Sequence, residues 1–240
     1  SEDLARRLDL DPWRVVEAQH VVSTRKLVDS LAEQELLEDL LEGAKPPAPE
    51  ARVHYLLSTP FRYPPLPRGS RFGRPTERGI WYGSETVATA LAETAYYRLL
   101  FLEGTAADLG TVETGHSAFR VRCRTTRGVD LLLAPFDAVR ATLAAPDRYA
   151  QTQELGAVLR RDGVQALRYP SARDPDDGVN VAVLEVGAFG RTRPRAFETW
   201  YSASTRRAVE FKRRDYRGGR VVRFAREVFL VDGELPAPAA

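Results

Sequence analysis

Apolar positions recur along the chain at two periods, and each period predicts one type of element. A spacing of three to four residues predicts amphipathic helices at residues 23–43, 84–102 and 151–161. Shorter runs of β-forming residues predict strands at 54–57, 80–82, 117–123, 129–132, 164–169, 179–185, 199–202, 208–212 and 221–231. The strands outnumber the helices and do not alternate regularly with them. The pattern therefore favours an α+β fold, with a mixed or antiparallel β core and flanking helices.

Proline-rich segments divide the chain into three parts. The run KPPAPE at residues 45–50 cannot continue a helix, so residues 1–50 are expected to form an N-terminal helical extension. Residues 51–234 then form one main domain, a length that a single hydrophobic core supports. The segment LPAPAA at 235–240 is expected to be a disordered tail.

Composition excludes several classes of protein. No run approaches the roughly 18 apolar residues of a membrane span, and the first residues lack the basic and then apolar pattern of a secretory signal. We therefore expect a cytoplasmic protein with no membrane partner. One cysteine and three scattered histidines form no local metal motif, so no metal is expected.

Charge is unevenly distributed, although the net charge is only +2. Residues 1–50 carry twelve acids and six bases, a balance of −6 that leaves +8 for the remainder. A basic stretch at residues 206–226, interleaved with Tyr216 and Phe224, is compatible with a nucleic-acid-binding module. Solvated faces of ordinary strands explain the same stretch, and the two interpretations stay open at this stage.

Signatures of common enzyme classes are absent: the sequence has no GxGxxG after a strand, no P-loop, no HExxH and no GxSxG. Three polar stretches remain as candidates for chemistry. They hold Arg62 and Arg71 in a Pro-rich loop, Tyr82 and Glu93 in WYGSETVATALAE, and Ser171 in RYPSAR. Taken singly, each has an ordinary explanation as a solvated arginine, a core tyrosine, a solvated glutamate or a turn serine.

Together the three stretches resemble the RES family of NAD-degrading toxins, which is related to the ADP-ribosyltransferases of the diphtheria-toxin type. The matched residues are Arg71 in GSRFG, Tyr82 in IWYGS, Glu93 in TALAE and Ser171 in RYPSAR. Two intervals of eleven residues separate the first three. Arg62 in PFRY resembles an earlier arginine of the family. The resemblance covers about residues 54–190 and implies an ADP-ribosyltransferase-like catalytic domain.

The resemblance implies that NAD+ is a substrate, with no other cofactor and with inorganic phosphate as a candidate co-substrate. Glu93 would stabilise the positive charge that develops on the ribose, and Tyr82 would hold the nicotinamide or ribose. Arg71 and Arg62 would bind the pyrophosphate, and Ser171 would bind the substrate by a hydrogen bond. The acceptor stays open: water makes a glycohydrolase, phosphate a phosphorylase, and a protein side chain an ADP-ribosyltransferase.

The resemblance also implies a biological setting. Such a toxin depletes cellular NAD+, arrests growth and is paired with an Xre-type antitoxin that carries a helix-turn-helix. Nucleic acid would then be contacted only indirectly, through the antitoxin. Whether the chain forms a homo-oligomer is left open.

Overall fold

A mixed β-sheet lies at the centre of the protein, whose computed structural model describes residues 4–18, 53–63, 67–215 and 218–237. Its strands are β1 (Arg6–Leu10), β2 (Trp13–Glu17), β3 (Trp81–Ser84), β4 (Val112–Arg120), β5 (Cys123–Asp130), β6 (Ala166–Pro170), β7 (Val179–Val183), β8 (Arg195–Ser204), β9 (Ala208–Arg213) and β10 (Val221–Ala225). Across the sheet they lie in the order β1-β5-β6-β7-β3-β2-β4-β8-β9-β10. Neighbours are antiparallel, apart from the parallel pair β5 and β6.

Helices flank this sheet in the described part of the chain. They are α1 (Tyr55–Arg62), α2 (Val87–Gly104), the single turn α3 (Arg140–Leu143) and α4 (Ala150–Arg161), with 3-10 turns at Phe136–Val139, Val186–Ala188 and Arg226–Phe229. Parallel strands need a long crossover, and α3 and α4 form it between β5 and β6. The α+β class, with a mixed β core and flanking helices, is thereby confirmed. None of the described helices has the length and apolar character needed to cross a bilayer.

The hydrophobic core lies between the helices and the sheet. Leu91 and Leu99 of α2 are fully buried and pack in one cluster with Trp200 of β8. A second cluster unites Leu159 of α4 with Phe72 from the loop before β3. These two clusters hold α2 and α4 against the sheet, and the segments that carry Arg71 and Glu93 are held with them.

The beginning of α2 sets the direction of the helix that carries Glu93. Thr86 is its N-cap, and its hydroxyl oxygen accepts a hydrogen bond from the backbone N–H of Thr89 at 3.1 Å. The apolar period predicted that this helix begins earlier, at Ser84. Ser84 lies instead at the end of β3, where its hydroxyl donates to the side chain of Asn180.

The prediction that residues 1–50 form a separate helical extension is wrong for the described part of that segment. β1 pairs with β5, and β2 lies inside the sheet between β3 and β4. Each of these strands has only five residues, too few for a distinctive local period, and partners far along the chain stabilise them. The predicted helix at 23–43 and the linker at 45–50 lie outside the described residues.

Three other boundaries differ from prediction. The strand predicted at 54–57 is instead the start of α1: His54 is the N-cap, its imidazole Nδ1 accepts from the backbone N–H of Leu56, and the helix begins at Tyr55. The last predicted strand stops at Ala225, where a 3-10 turn follows. The tail is not wholly disordered: Leu235 is buried beside α2, and the Tyr96 hydroxyl donates to the carbonyl of Pro236.

Candidate active site

A cavity of about 300 Å³ opens where β2, β3 and β7 face the side of α2 that carries Glu93. Its charged lining residues are Arg14, Arg71 and Glu93, and its aromatic lining residues are Trp13, Tyr82, Tyr97, Tyr149 and Tyr169. The volume lies at the lower end of the range for small-molecule sites, roughly 300–1,000 Å³. The cavity is therefore large enough to hold a small molecule or part of a larger one.

Glu93 lies at the cavity and is only partly exposed, so it is not an ordinary solvated glutamate of the outer helix face. Its Oε1 accepts a hydrogen bond from the Ser171 hydroxyl at 2.7 Å and from the Asn180 amide at 2.6 Å. The other oxygen, Oε2, has no donor among the described residues. One carboxylate oxygen is thus held by the protein, and the other is available to a ligand.

Ser171 donates a hydrogen bond to Glu93 and is not among the residues that line the cavity. The contact with substrate that was expected from the sequence stays a prediction. The Ser171 Oγ accepts from the backbone N–H groups of Arg173 and Asp174, at 3.1 Å each. Those two contacts occupy its lone pairs, and its one proton goes to Glu93. The Ser171 hydroxyl therefore helps to orient the Glu93 carboxylate.

Asn180 was not among the residues that the sequence analysis selected. It is 3% exposed in β7, and its Oδ1 accepts from the Ser84 hydroxyl at 2.7 Å. A signal was present in the sequence: an asparagine interrupts the apolar strand VNVAV. A buried amide needs polar partners, so such an interruption indicates a site where other polar groups converge.

Arg71 lies in the cavity wall with 8% exposure. Its Nη1 donates to the carbonyls of Leu143 and Ala145, at 2.9 Å each, and its guanidinium lies over the Tyr149 ring at 4.6 Å. These contacts hold the group in place without neutralising it, since no carboxylate among the described residues pairs with it. The remaining N–H groups of the fork are suited to an anion.

Tyr82 presents its ring to the cavity from β3. Its hydroxyl forms a hydrogen bond with Ser70 Oγ at 2.9 Å and accepts from the Phe72 N–H at 3.2 Å. Burial raises the pKa of Tyr82 to about 12, so the phenol is neutral at physiological pH. The Tyr82 hydroxyl thus connects the loop that carries Arg71 to β3. The Tyr82 ring forms part of the cavity wall.

Arg14 is a cavity residue that the sequence analysis assigned to the extension. It reaches the site from β2, where its Nη1 donates to the carbonyl of Tyr82 at 2.9 Å and its guanidinium lies 5.4 Å from the Trp81 ring. Burial lowers the pKa of Arg14 to about 10, which leaves it cationic at neutral pH. No carboxylate among the described residues pairs with it. Its sequence signal was a charged residue in the otherwise apolar run WRVV.

Arg62, the other predicted pyrophosphate ligand, is the last residue of α1 and does not line the cavity. Arg173, two residues after Ser171, is held by contacts within the protein. Its guanidinium lies 3.5 Å from the Tyr96 ring centre and donates to the carbonyl of Pro146. The structure thus brings together Arg71, Tyr82 and Glu93, with Ser171 behind the carboxylate.

The basic stretch at 206–226 is partly used for contacts within the chain. Arg213 pairs with Glu198 and Asp215, and Arg226 pairs with Glu103. Arg206 donates to two backbone carbonyls, those of residues 105 and 107. These contacts give no specific support to a nucleic-acid interface.

A family model described as the RES domain matches residues 47–202. No curated protein sequence matches the chain. Among solved structures, the chain is similar to one from the crystal structure of the M. tuberculosis MbcT–MbcA toxin–antitoxin complex. That similarity has 12% sequence identity and a TM-score of 0.48, and it covers 80% of this chain and 85% of the other.

Proposed function

The chain belongs to the RES domain family, and from this premise we propose that it is a toxin enzyme that cleaves the nicotinamide–ribose bond of NAD+. The observation that carries the proposal is the arrangement of Glu93. Its Oε1 is held by Ser171 and Asn180, and its Oε2 is available in a cavity with aromatic walls. A fixed carboxylate in such a cavity is suited to stabilising positive charge on a sugar.

The bond breaks with its electron pair moving to the nicotinamide nitrogen, which becomes neutral, while positive charge develops on the ribose. This charge is largest in the transition state, so Glu93 contributes more to turnover than to binding. The leaving group needs no proton, and no general acid is required. The tyrosine rings that line the cavity are suited to hold the flat nicotinamide before cleavage.

Charge in the cavity supports an anionic substrate. Arg14 and Arg71 bring two guanidinium groups and Glu93 one carboxylate, and neither arginine has a carboxylate partner among the described residues. Guanidinium groups bind phosphate oxygens through paired N–H donors. We assign the pyrophosphate to these two arginines, with Arg14 in the place that the sequence analysis assigned to Arg62.

The acceptor defines the reaction class. If water attacks the ribose and loses a proton, the product is ADP-ribose, and the enzyme is a glycohydrolase. If inorganic phosphate attacks, the product is ADP-ribose phosphate, and the enzyme is a phosphorylase. Transfer to a protein side chain is the alternative activity. In the first two cases the toxin would deplete the NAD+ of the cytoplasm and arrest growth.

One incubation separates these cases. Purified protein is mixed with NAD+ in buffers with and without phosphate, and the products are identified by chromatography and mass spectrometry. We expect loss of NAD+ in the parent protein and almost none in Glu93→Gln. Survival of NAD+ in both buffers, with no modified protein detected, would refute the proposed function.

Control by an antitoxin is part of the same proposal. Tyr97 and Phe101 lie one turn apart on α2, and their exposed fractions are 51% and 57%. Tyr97 also lines the cavity. An Xre-type antitoxin covering them would bury apolar surface and close the cavity at once.

We also propose that the chain has one catalytic domain. Residues 6–17 complete the sheet to which the residues of the family match contribute the other strands up to β8.

A further inference from the structure

The position of Asn180 is set by strand pairing on both sides. In β7 its backbone is in register with Ser84 of β3 and with Tyr169 of β6. A residue paired on both sides within a sheet has little freedom to move. Because Asn180 is also 3% exposed, its side chain is a rigid reference point beside the cavity.

The orientation of the Asn180 amide follows from its two partners. A carboxylate accepts hydrogen bonds and does not donate them, so the NH2 end of the amide must face Glu93. The carbonyl end then faces the hydroxyl of Ser84, which donates to it at 2.7 Å. The reverse orientation would place Oδ1 against the Glu93 carboxylate, an unfavourable contact of two acceptors. Ser84, itself 2% exposed, therefore locks the amide.

The fixed Asn180 amide holds Glu93 at one carboxylate oxygen, Oε1. Asn180 and Ser171 donate to Oε1 from a strand and from a loop respectively, so rotation of the carboxylate would break both bonds. The plane of the carboxylate and the direction of Oε2 are set by these two contacts. A charged group held in this way needs no reorganisation when positive charge develops nearby.

We propose that Asn180, locked by Ser84, is a positioning residue that aims Oε2 of Glu93 at the reacting ribose. The kinetic part of this inference rests on the proposed cleavage of NAD+. The contact itself does not depend on that function.

The kinetic test compares Asn180→Ala, Asn180→Asp and Ser84→Ala with the parent protein. Loss of a support that aligns a reacting group costs up to about 100-fold in rate. For Asn180→Ala we expect kcat to fall about 10- to 100-fold, with KM changed by less than about threefold, since the site for the rest of the substrate is intact. Ser84→Ala keeps the amide but frees its orientation, so its loss of kcat should be smaller.

The chain offers a matched control for Ser84→Ala. Ser202 is also 2% exposed, and its Oγ forms a buried hydrogen bond with His116 Nε2 at 2.9 Å, away from the cavity lining. Ser202→Ala therefore removes a comparable buried hydrogen bond. Its kcat should equal that of the parent protein, even if its Tm falls as much as that of Ser84→Ala.

Asn180→Asp gives a readout that general destabilisation would not produce. At neutral pH it places a second carboxylate against Glu93, so kcat should fall further than in Asn180→Ala. On acidification the pair takes up one shared proton, and a protonated Asp side chain can again donate to Glu93. The kcat of Asn180→Asp relative to the parent should therefore rise as the pH falls, whereas that of Asn180→Ala should not.

A double-mutant cycle on Tm tests the contact without any substrate, using Asn180→Ala, Glu93→Ala and the double variant. If the two residues interact, the double variant loses less than the sum of the single losses. If NAD+ survives incubation with the parent protein, the proposed function fails, and this cycle alone decides the contact. Additive losses of Tm, or an unchanged kcat in Asn180→Ala beside an active parent, would overturn the inference.

Discussion

Replacing Arg14 by glutamine tests the main difference between the site predicted from the sequence and the cavity of the structure, which is the presence of Arg14 in place of Arg62. The change removes a cationic side chain that lies in the cavity and keeps a polar chain of similar shape. Arg14 uses one N–H on the Tyr82 carbonyl, and the rest of its guanidinium is unpaired by carboxylates in the described residues. If those groups bind the pyrophosphate of NAD+, their loss should weaken binding and leave the bond-breaking step almost unchanged.

The magnitude follows from the kind of contact. A hydrogen bond to a charged group contributes about 1.5–3 kcal/mol, and each 1.4 kcal/mol changes affinity about tenfold. Arg14 is only partly exposed, which reduces screening by salt. We expect the KM for NAD+ to rise about 10- to 100-fold, with kcat within about threefold of the parent value.

The assay measures initial rates of NAD+ loss over a range of NAD+ concentrations at one ionic strength. Calorimetric titration in a Glu93→Gln background then reports binding without turnover. Arg62→Gln is the matched control, because Arg62 has the same side chain but does not line the cavity. An unchanged KM in Arg14→Gln, or an equal rise in both variants, would refute the assignment of the pyrophosphate to Arg14.

Three further predictions concern single side chains. Glu93→Gln should bind NAD+ with an affinity near that of the parent and lose about 100- to 1,000-fold in kcat, as measured by titration and initial rates; equal losses in both would place Glu93 in binding. Tyr82→Phe removes the hydrogen bonds of the phenol to Ser70 and to the Phe72 N–H. The free energy of unfolding, measured by urea denaturation, should fall by about 1–3 kcal/mol. An unchanged free energy of unfolding would contradict these contacts. Burial of His116 lowers its pKa from 6.5 to about 4, so between these pH values the unfolded chain binds a proton that the folded protein does not. The free energy of unfolding should therefore be highest above pH 6.5 and fall by up to about 3 kcal/mol as the pH drops to 4, a loss that His116→Gln should reduce and that a pH-independent stability would exclude.

The predictable part of the site is the part that local sequence encodes. Arg71, Tyr82 and Glu93 lie within 23 consecutive residues, on a loop, a strand and a helix that the apolar pattern locates approximately. Their side chains line one cavity because β3 leads directly into α2. The contact of Ser171 with Glu93 was not predictable, because a hydroxyl can turn to several neighbours and only their positions decide among them.

Residues that depend on distant strand pairing could not be located in this way. Arg14 belongs to a five-residue strand whose place is set by pairing with β3 and β4. Of those partners, the one nearest along the chain is Ser84, 71 positions after its partner Trp13. Local periodicity contains no information on which distant strand will pair. The same limit applies to Asn180, whose contact with Glu93 joins residues 87 positions apart.

The sequence by itself determined the α+β class, the main helices around the sheet and the family, because these depend on local apolar periods and on short motifs such as GSRFG and RYPSAR. Only the tertiary structure decided that Arg14 and not Arg62 lines the cavity, and that Ser171 and Asn180 hold the same oxygen of Glu93. The physical reason is that a hydrogen bond or a shared cavity is a relation between atoms in space. Strand pairing across the sheet brings those atoms together, and no local pattern in the chain records which strands will meet.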